Sequence, residues 1–143
     1  MPDVSILVYA QRTNEEHHDT DGQWLGDPIG SSEAFALSAL VAIGFLRIVT
    51  NARIYEEPTS LPTALAFIEE LTVQPKCRVV TPGPGHVNDV IRLCRATDAT
   101  GRAIADAQHA ALAISEGATW VTRDADFARF GPHGLRWQHL VLD

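Results

Sequence analysis

Long apolar runs are missing from this chain of 143 residues. No stretch of about 18 apolar residues occurs, and no basic segment followed by an apolar one opens the sequence, so neither a membrane span nor a secretory leader is expected. Cysteine is scarce. Cys77 and Cys94 have no zinc-ligand spacing and make no disulfide framework, so both read as reduced, partly buried thiols. Lysine is reduced to Lys76, against ten arginines; guanidinium suits bidentate phosphate contact, although a GC-rich genome also favours Arg. Positive charge is short overall, and a formal net charge of −7 speaks against a nucleic-acid binder, because phosphate contacts need cations. Its distribution qualifies that. Residues 1–70 hold eleven acids and three bases, whereas residues 71–143 hold seven acids and eight bases. Repeats, linkers and low-complexity tracts are absent. What is present is an apolar fraction of 45%, enough for one buried core, so residues 1–143 read as a single domain of a cytoplasmic protein.

DVSILVYA at residues 3–10 reads by pattern as a strand, or equally as a short buried helix. The polar, acidic stretch Thr13 to Asp27, anchored by Trp24 and Leu25, suggests a surface helix. FALSALVAIGFLRIVTN suits a short strand running into a buried helix, with Gly44 inside it at up to about 1 kcal/mol cost relative to Ala. That glycine marks a close contact or a missing functional side chain. In EEPTSLPTALAFIEEL, Thr59 or Ser60 can cap a helix with Pro62 in its first turn and an apolar stripe of Ala64, Phe67, Ile68 and Leu71. CRVVTPGPG reads as a short strand, HVNDVIRLCRATD as a helix, and RAIADAQHAALAISEG as a strong helix ended by Gly117. ATWVT is then a strand, DADFARF a turn into irregular structure, and LRWQHLVL a last strand. Strands separated by helices imply a parallel sheet covered on both faces.

Asp106 is the most informative residue. Its apolar neighbours make the helix read as largely buried, and an uncompensated buried carboxylate costs several kcal/mol or takes up a proton. An Arg such as Arg47, hydrogen-bond donors or a cation could compensate it, and Ala110 and Ala113 on the same face would leave room above it. Asp124 and Asp126 stand at the carboxyl end of a parallel strand, where open α/β sheets place ligand sites, although an Asp-X-Asp turn alone is ordinary. Asp3 opens the first apolar element. Carboxylates without His or Cys ligands suit magnesium or manganese, and such a site can hold phosphates and activate water for phosphodiester cleavage. His17 and His18 read as surface residues, His86 as a capping or surface residue, and His109 as partly buried, with a supporting role beside Asp106 open; His133 and His139 show nothing specific.

DVSILVYA, FLRIVTN with EEPTS, IADAQHAALAISEGATWVTRDADFARF and GLRW together resemble the PIN-domain family, in particular VapC-type toxins of bacterial toxin–antitoxin pairs. The resemblance implies a three-layer α/β/α fold with a central parallel sheet of four to five strands, a pocket binding Mg2+ or Mn2+, and endoribonuclease activity. By position, Asp3, Asp106 and Asp124 match family acids, with Asp126 an additional one; Thr122 matches the hydroxyl beside the metal pocket, and Ser5 stands where the family often has Asn or Ser. It also implies that DVSILVYA is mostly helix after a strand ending at Asp3. Two departures stand out: the family's second acid should fall close to Gly44, where there is none, with Glu33 the nearest upstream carboxylate, and only Met1 and Pro2 precede Asp3, so an upstream start is expected.

The expectation is therefore a metal-dependent endoribonuclease toxin in which Asp3, Asp106, Asp124 and Asp126 hold the ion and Arg102, Arg123 and Arg129 contact RNA phosphates. A VapB-type antitoxin and a homodimer are implied by the family. The alternative is a catalytically weak or inactive PIN-fold subunit that engages the antitoxin, for which the missing acid near Gly44 is the main support. A receiver-type phosphoacceptor at Asp3 would need a second acid that Val4 and Ser5 do not supply.

Overall fold

A computed structural model describes residues 1–13, 18–30 and 34–141; His17 and Glu33 lie outside the described residues. Helices α1 (Val4–Gln11), α2 (His18–Gly30), α3 (Ala39–Val49), α4 (Leu61–Thr72), α5 (His86–Thr97) and α6 (Arg102–Ser115) alternate with strands β1 (Phe35–Ser38), β2 (Cys77–Val80), β3 (Trp120–Thr122) and β4 (Trp137–His139). A 3₁₀ helix, Ala125–His133, joins the last two strands.

The first residues pair with the far end of the chain. Asp3 N donates to Val121 O at 2.8 Å and Val121 N to Met1 O at 2.9 Å, a parallel bridge centred on Pro2 and Val121. Trp120 and Thr122 face the other edge, where β3 pairs in parallel with β4. Thus β3 is an inner strand, with Met1–Asp3 on one side and β4 on the other. The second ladder is β1 with β2, also parallel, in the register Phe35 to Cys77. Among the described residues the expected sheet of four to five strands is two ladders of two strands each, because no strand of one is hydrogen-bonded to a strand of the other.

Val4–Gln11 is a helix that follows the Pro2 bridge, as the family resemblance implied, and of the two readings by pattern the strand is the one corrected. Asp3 is extended at φ −71°, ψ 161°, and its carboxylate accepts from Val4 N at 2.6 Å, which caps α1 and turns the chain. Ile6, Leu7 and Val8 are all buried because α1 lies against α2, α3 and β3. Covered all round, its apolar residues leave no helical stripe to see.

Most other elements form as read, but the helix expected over Thr13 to Asp27 is His18–Gly30 with Asp21 and Leu25 buried, and DADFARF enters a 3₁₀ helix rather than irregular structure. Ser38 caps α3 and Ser60 caps α4, each through its hydroxyl to a backbone amide. Gly117, at φ 62°, takes the left-handed conformation that ends α6. Helix α6 differs in one respect: Arg102, Ile104 and Ala105 are exposed, and its buried face begins at Ala107. Asp106 therefore lies half-buried at the boundary, and Ala110 and Ala113 are sealed in the core rather than opening space above it. Phe45, Leu37, Leu112, Trp120, Phe127 and Phe130 are central to that core.

Candidate active site

Thr122 ties the two ends of the pocket together. It ends β3 and is fully buried. Its hydroxyl donates to Asp3 Oδ2 at 2.5 Å and accepts from Asp124 N at 3.0 Å. A single hydroxyl has one proton to give and lone pairs to receive with, so both bonds are made at once and the strand end fixes Asp3 relative to Asp124. Asp124 in turn caps the 3₁₀ helix, accepting from Asp126 N at 2.9 Å.

Asp3 is 9% exposed, and burial pushes its carboxyl above the usual range; the Thr122 hydroxyl, the Val4 amide and His109 oppose this, while Asp124 adds to it. Asp106 is also raised, by burial first and then by the charge of Asp124, with Asp3 adding and Arg102 and Arg129 opposing. Three carboxylates from α1's cap, α6 and the end of β3 thus repel one another at close quarters. The cations acting on Asp106 are Arg102 and Arg129 rather than Arg47.

Asp3, Asp106 and Asp124 fit Mg2+ or Mn2+ in donor type and in charge: they are hard oxygens, and burial together with neighbouring acids raises the carboxyls of Asp3 and Asp106. Asp3, Asp106 and Asp124 would hold such an ion. Among the described residues, however, no three acids or imidazoles stand as a closed ligand set, so an ion would draw them inward. Asp126 is exposed and perturbs neither Asp3 nor Asp106; the structure brings its backbone, not its charge, to the pocket. Ser5 is half-buried in the first turn of α1. At Gly44 an added Cβ would meet Val4 at an ordinary 3.8 Å, so no steric demand explains the glycine.

Arg123 departs from expectation. Its Nε donates to Asp21 Oδ2 at 3.0 Å, its Nη2 to Asp21 Oδ1, and its Nη1 to Leu140 O at 3.2 Å. With its side chain 12% exposed against a fully buried Asp21, this guanidinium is committed to tying α2 to β3 rather than free for phosphate. Asp21 had a signal in the sequence, since it lies one turn before Leu25 on the face that α2 buries. Arg102 and Arg129 are exposed, the latter donating to Asp126 O at 3.1 Å.

The histidines also differ from expectation. His18 is half-buried, its Nδ1 3.0 Å from Tyr9 O, and His139 Nε2 lies 2.9 Å from Arg123 O. His86 opens α5 with its Nε2 buried, not at the surface. Burial lowers the proton affinity of His109, with His86 adding and Asp3 opposing. Cys77 and Cys94 are free and half-buried, as read.

The PIN domain family model matches residues 1–131. Ribonuclease VapC43 of Mycobacterium tuberculosis is 40% identical over 138 residues, 96% of this chain and 92% of the relative. Ribonuclease VapC31 of the same species is 38% identical over 128 residues, 90% of each. Among solved structures, VapBC2 from Rickettsia felis bound to a DNA fragment from their promoter superposes with a TM-score of 0.67 over 96% of both chains at 17% identity, a likeness of fold. With a family model over most of its length and relatives of this similarity, the chain belongs to the PIN-domain family, on its VapC branch.

Proposed function

We propose that this protein is the toxin of a toxin–antitoxin pair, an endoribonuclease that needs Mg2+ or Mn2+ and cleaves RNA phosphodiester bonds. The observation that carries the reading is the hydroxyl of Thr122 holding Asp3 beside Asp124 where burial and mutual repulsion raise Asp3 and Asp106. Asp3, Asp106 and Asp124 are the proposed ligands, with Asp126 at the rim. When bound, the ion would polarise a scissile phosphate and lower the pKa of a water. The chain's own part is to present one buried and two half-buried carboxylates, with Thr122 keeping Asp3 oriented and Arg102 and Arg129 offering charge to the flanking phosphates. Ribonuclease naming of the VapC relatives supports the same activity.

A VapB-type antitoxin is the proposed partner, supported by the VapBC2 likeness, and a homodimer and a bacterial cytoplasmic location go with it. No helix among the described residues is long and apolar enough to cross a membrane. The second reading, a weak or inactive subunit that engages the antitoxin, draws on Gly44, where a Cβ would be tolerated beside Val4 but no side chain is present.

Incubating purified protein with RNA in Mg2+ or Mn2+, in EDTA, and as Asp106→Asn tests the proposal. Cleavage confined to the metal-loaded wild type is expected. Cleavage that survives both EDTA and the substitution overturns the metal mechanism, and tight antitoxin binding with no cleavage of a broad RNA panel favours the second reading.

A further inference from the structure

Three ring nitrogens are buried without a partner behind the acid pocket: His86 Nε2, His109 Nδ1 and Trp120 Nε1. Interiors pair nearly all such atoms, so three in one neighbourhood call for a reason. His109 is common to the group. Its ring stacks on Trp120 with centroids 5.3 Å apart and planes 18° apart, and His86 is near enough for its charge to act on it. Asp3 is its other electrostatic neighbour. Along α6, His109 follows Asp106 by one turn and shares its face.

The buried Nδ1 decides where the neutral ring keeps its proton. A sealed N–H with no acceptor is the rarer and costlier orphan, so Nδ1 carries the lone pair and Nε2 the hydrogen. Nε2, by contrast, is not among the sealed atoms. A ring in this tautomer is a hydrogen-bond donor; to bind a metal through Nε2 it would need the opposite one. Asp3 can use such a donor. Its carboxylate accepts from Val4 N and from Thr122 Oγ1, two bonds on about four lone-pair sites.

We infer that His109 is a positioning residue for the ribonuclease centre, its Nε2–H donating to Asp3 when the carboxylate turns to a divalent cation, so that Asp3 stays oriented without a further charge entering the pocket. This rests on the metal-dependent reading proposed above. Ligand carboxylates are commonly hydrogen-bonded from behind, and loss of such a partner weakens metal binding about 10–100-fold.

Mn2+ affinity, read from the electron paramagnetic resonance of the free ion, separates the possibilities without reference to cleavage. His109→Phe keeps the stack on Trp120 and removes both nitrogens, and about ten-fold weaker Mn2+ binding is expected with the thermal midpoint unchanged or raised, because an unpaired buried nitrogen is lost. His109→Gln, whose amide reaches the place of Nε2, should restore affinity to near wild type, and His109→Asn, whose amide reaches only the place of Nδ1, should not. Wild-type affinity in His109→Phe overturns the inference, as does equal loss in Gln and Asn, and the Gln–Asn contrast decides alone if the Phe variant fails to fold. If the wild type itself binds no Mn2+, the metal reading fails and takes this inference with it, whereas binding by the wild type and all three variants alike sinks only the role of His109.

Discussion

Among the described residues two aspartates are almost fully buried, Asp21 on α2 and Asp3 at the start of α1, and they are compensated in opposite ways. Asp21 faces a guanidinium in a two-pronged contact with Arg123. Asp3 has a hydroxyl, a backbone amide and other acids around it, and its carboxyl is raised. A buried charge with a complete partner is structural, since removing either half strands the other. A buried carboxylate left short of positive charge beside like charges is what a ligand site looks like. The same residue type under the same burial therefore reports two roles, and the partner tells them apart.

The contrast between the two aspartates can be broken from its structural side first. Asp21→Ala leaves Arg123 buried without a counter-charge and should cost about 3–5 kcal/mol of folding stability, read as a fall in the urea midpoint. Its activity should follow its folded fraction. Thr122→Val, close in shape, removes the hydroxyl that serves Asp3 and Asp124 at once and should cost about 1–3 kcal/mol, with Mn2+ affinity falling as well. Thr122→Ser, which keeps the hydroxyl, should recover most of both. A drop in stability with no change in Mn2+ affinity would make Thr122 a purely structural link.

Asp3→Asn is the mirror of the Asp21 experiment and should change stability less than Asp21→Ala or Thr122→Val while abolishing cleavage. The sign follows from the raised carboxyls. Asp3 and Asp106 hold a proton more tightly folded than unfolded, so the stability they contribute is complete below the usual 3.8 and is lost as pH rises through their folded values. Near neutral pH the ion-free protein bears that penalty, and Asn at position 3 relieves its share. Mn2+ should accordingly raise the thermal midpoint of the wild type more at neutral than at mildly acidic pH, and the pH dependence should flatten in Asp3→Asn. An equal Mn2+ effect at both pH values would mean that the ion binds elsewhere.

How far this contrast could be read from sequence depends on the range of the interactions. Caps and apolar periodicity are local, so helix α3, α4 with Ser60 and the stop at Gly117 were legible, although Ser38 was not read as the cap of α3. DVSILVYA was not legible as a helix by pattern, because α1 is covered on most sides and period two cannot be told from period 3.6 when nearly every position is apolar; Asp3 as its cap was the missing signal. ATWVT and LRWQHLVL were legible as strands, whereas the bridge on the other edge of β3 was not, because its partner lies more than a hundred residues away, as Met1 N on Thr119 O across 118 positions illustrates. Arg123 reads as an RNA contact in the sequence because its partner lies 102 residues upstream. Family resemblance supplied the acids of the pocket, and the geometry added which of them act on one another.

The smallest expected effects belong to the arginines outside the Asp21 pair. Arg102 and Arg129 are exposed, and each opposes the raised carboxyl of Asp106 only as a secondary influence, so replacing either with Ala should leave the urea midpoint within about 0.5 kcal/mol of wild type. Their proposed work is on the RNA. A phosphate contact releases counterions, and for a single strand the slope of log affinity against log salt should shrink by about 0.7 for each phosphate no longer neutralised. Measured on Asp106→Asn, which is expected to hold substrate without cutting it, Arg102→Ala and Arg129→Ala should each flatten the slope by that amount, and together by about twice as much. Arg123→Ala supplies the contrast: it should strand Asp21 and lower stability without altering the salt slope of the molecules that remain folded. A flattened slope in Arg123→Ala, with none in Arg102→Ala or Arg129→Ala, would return the phosphate contact to the residue that the fold has given to Asp21.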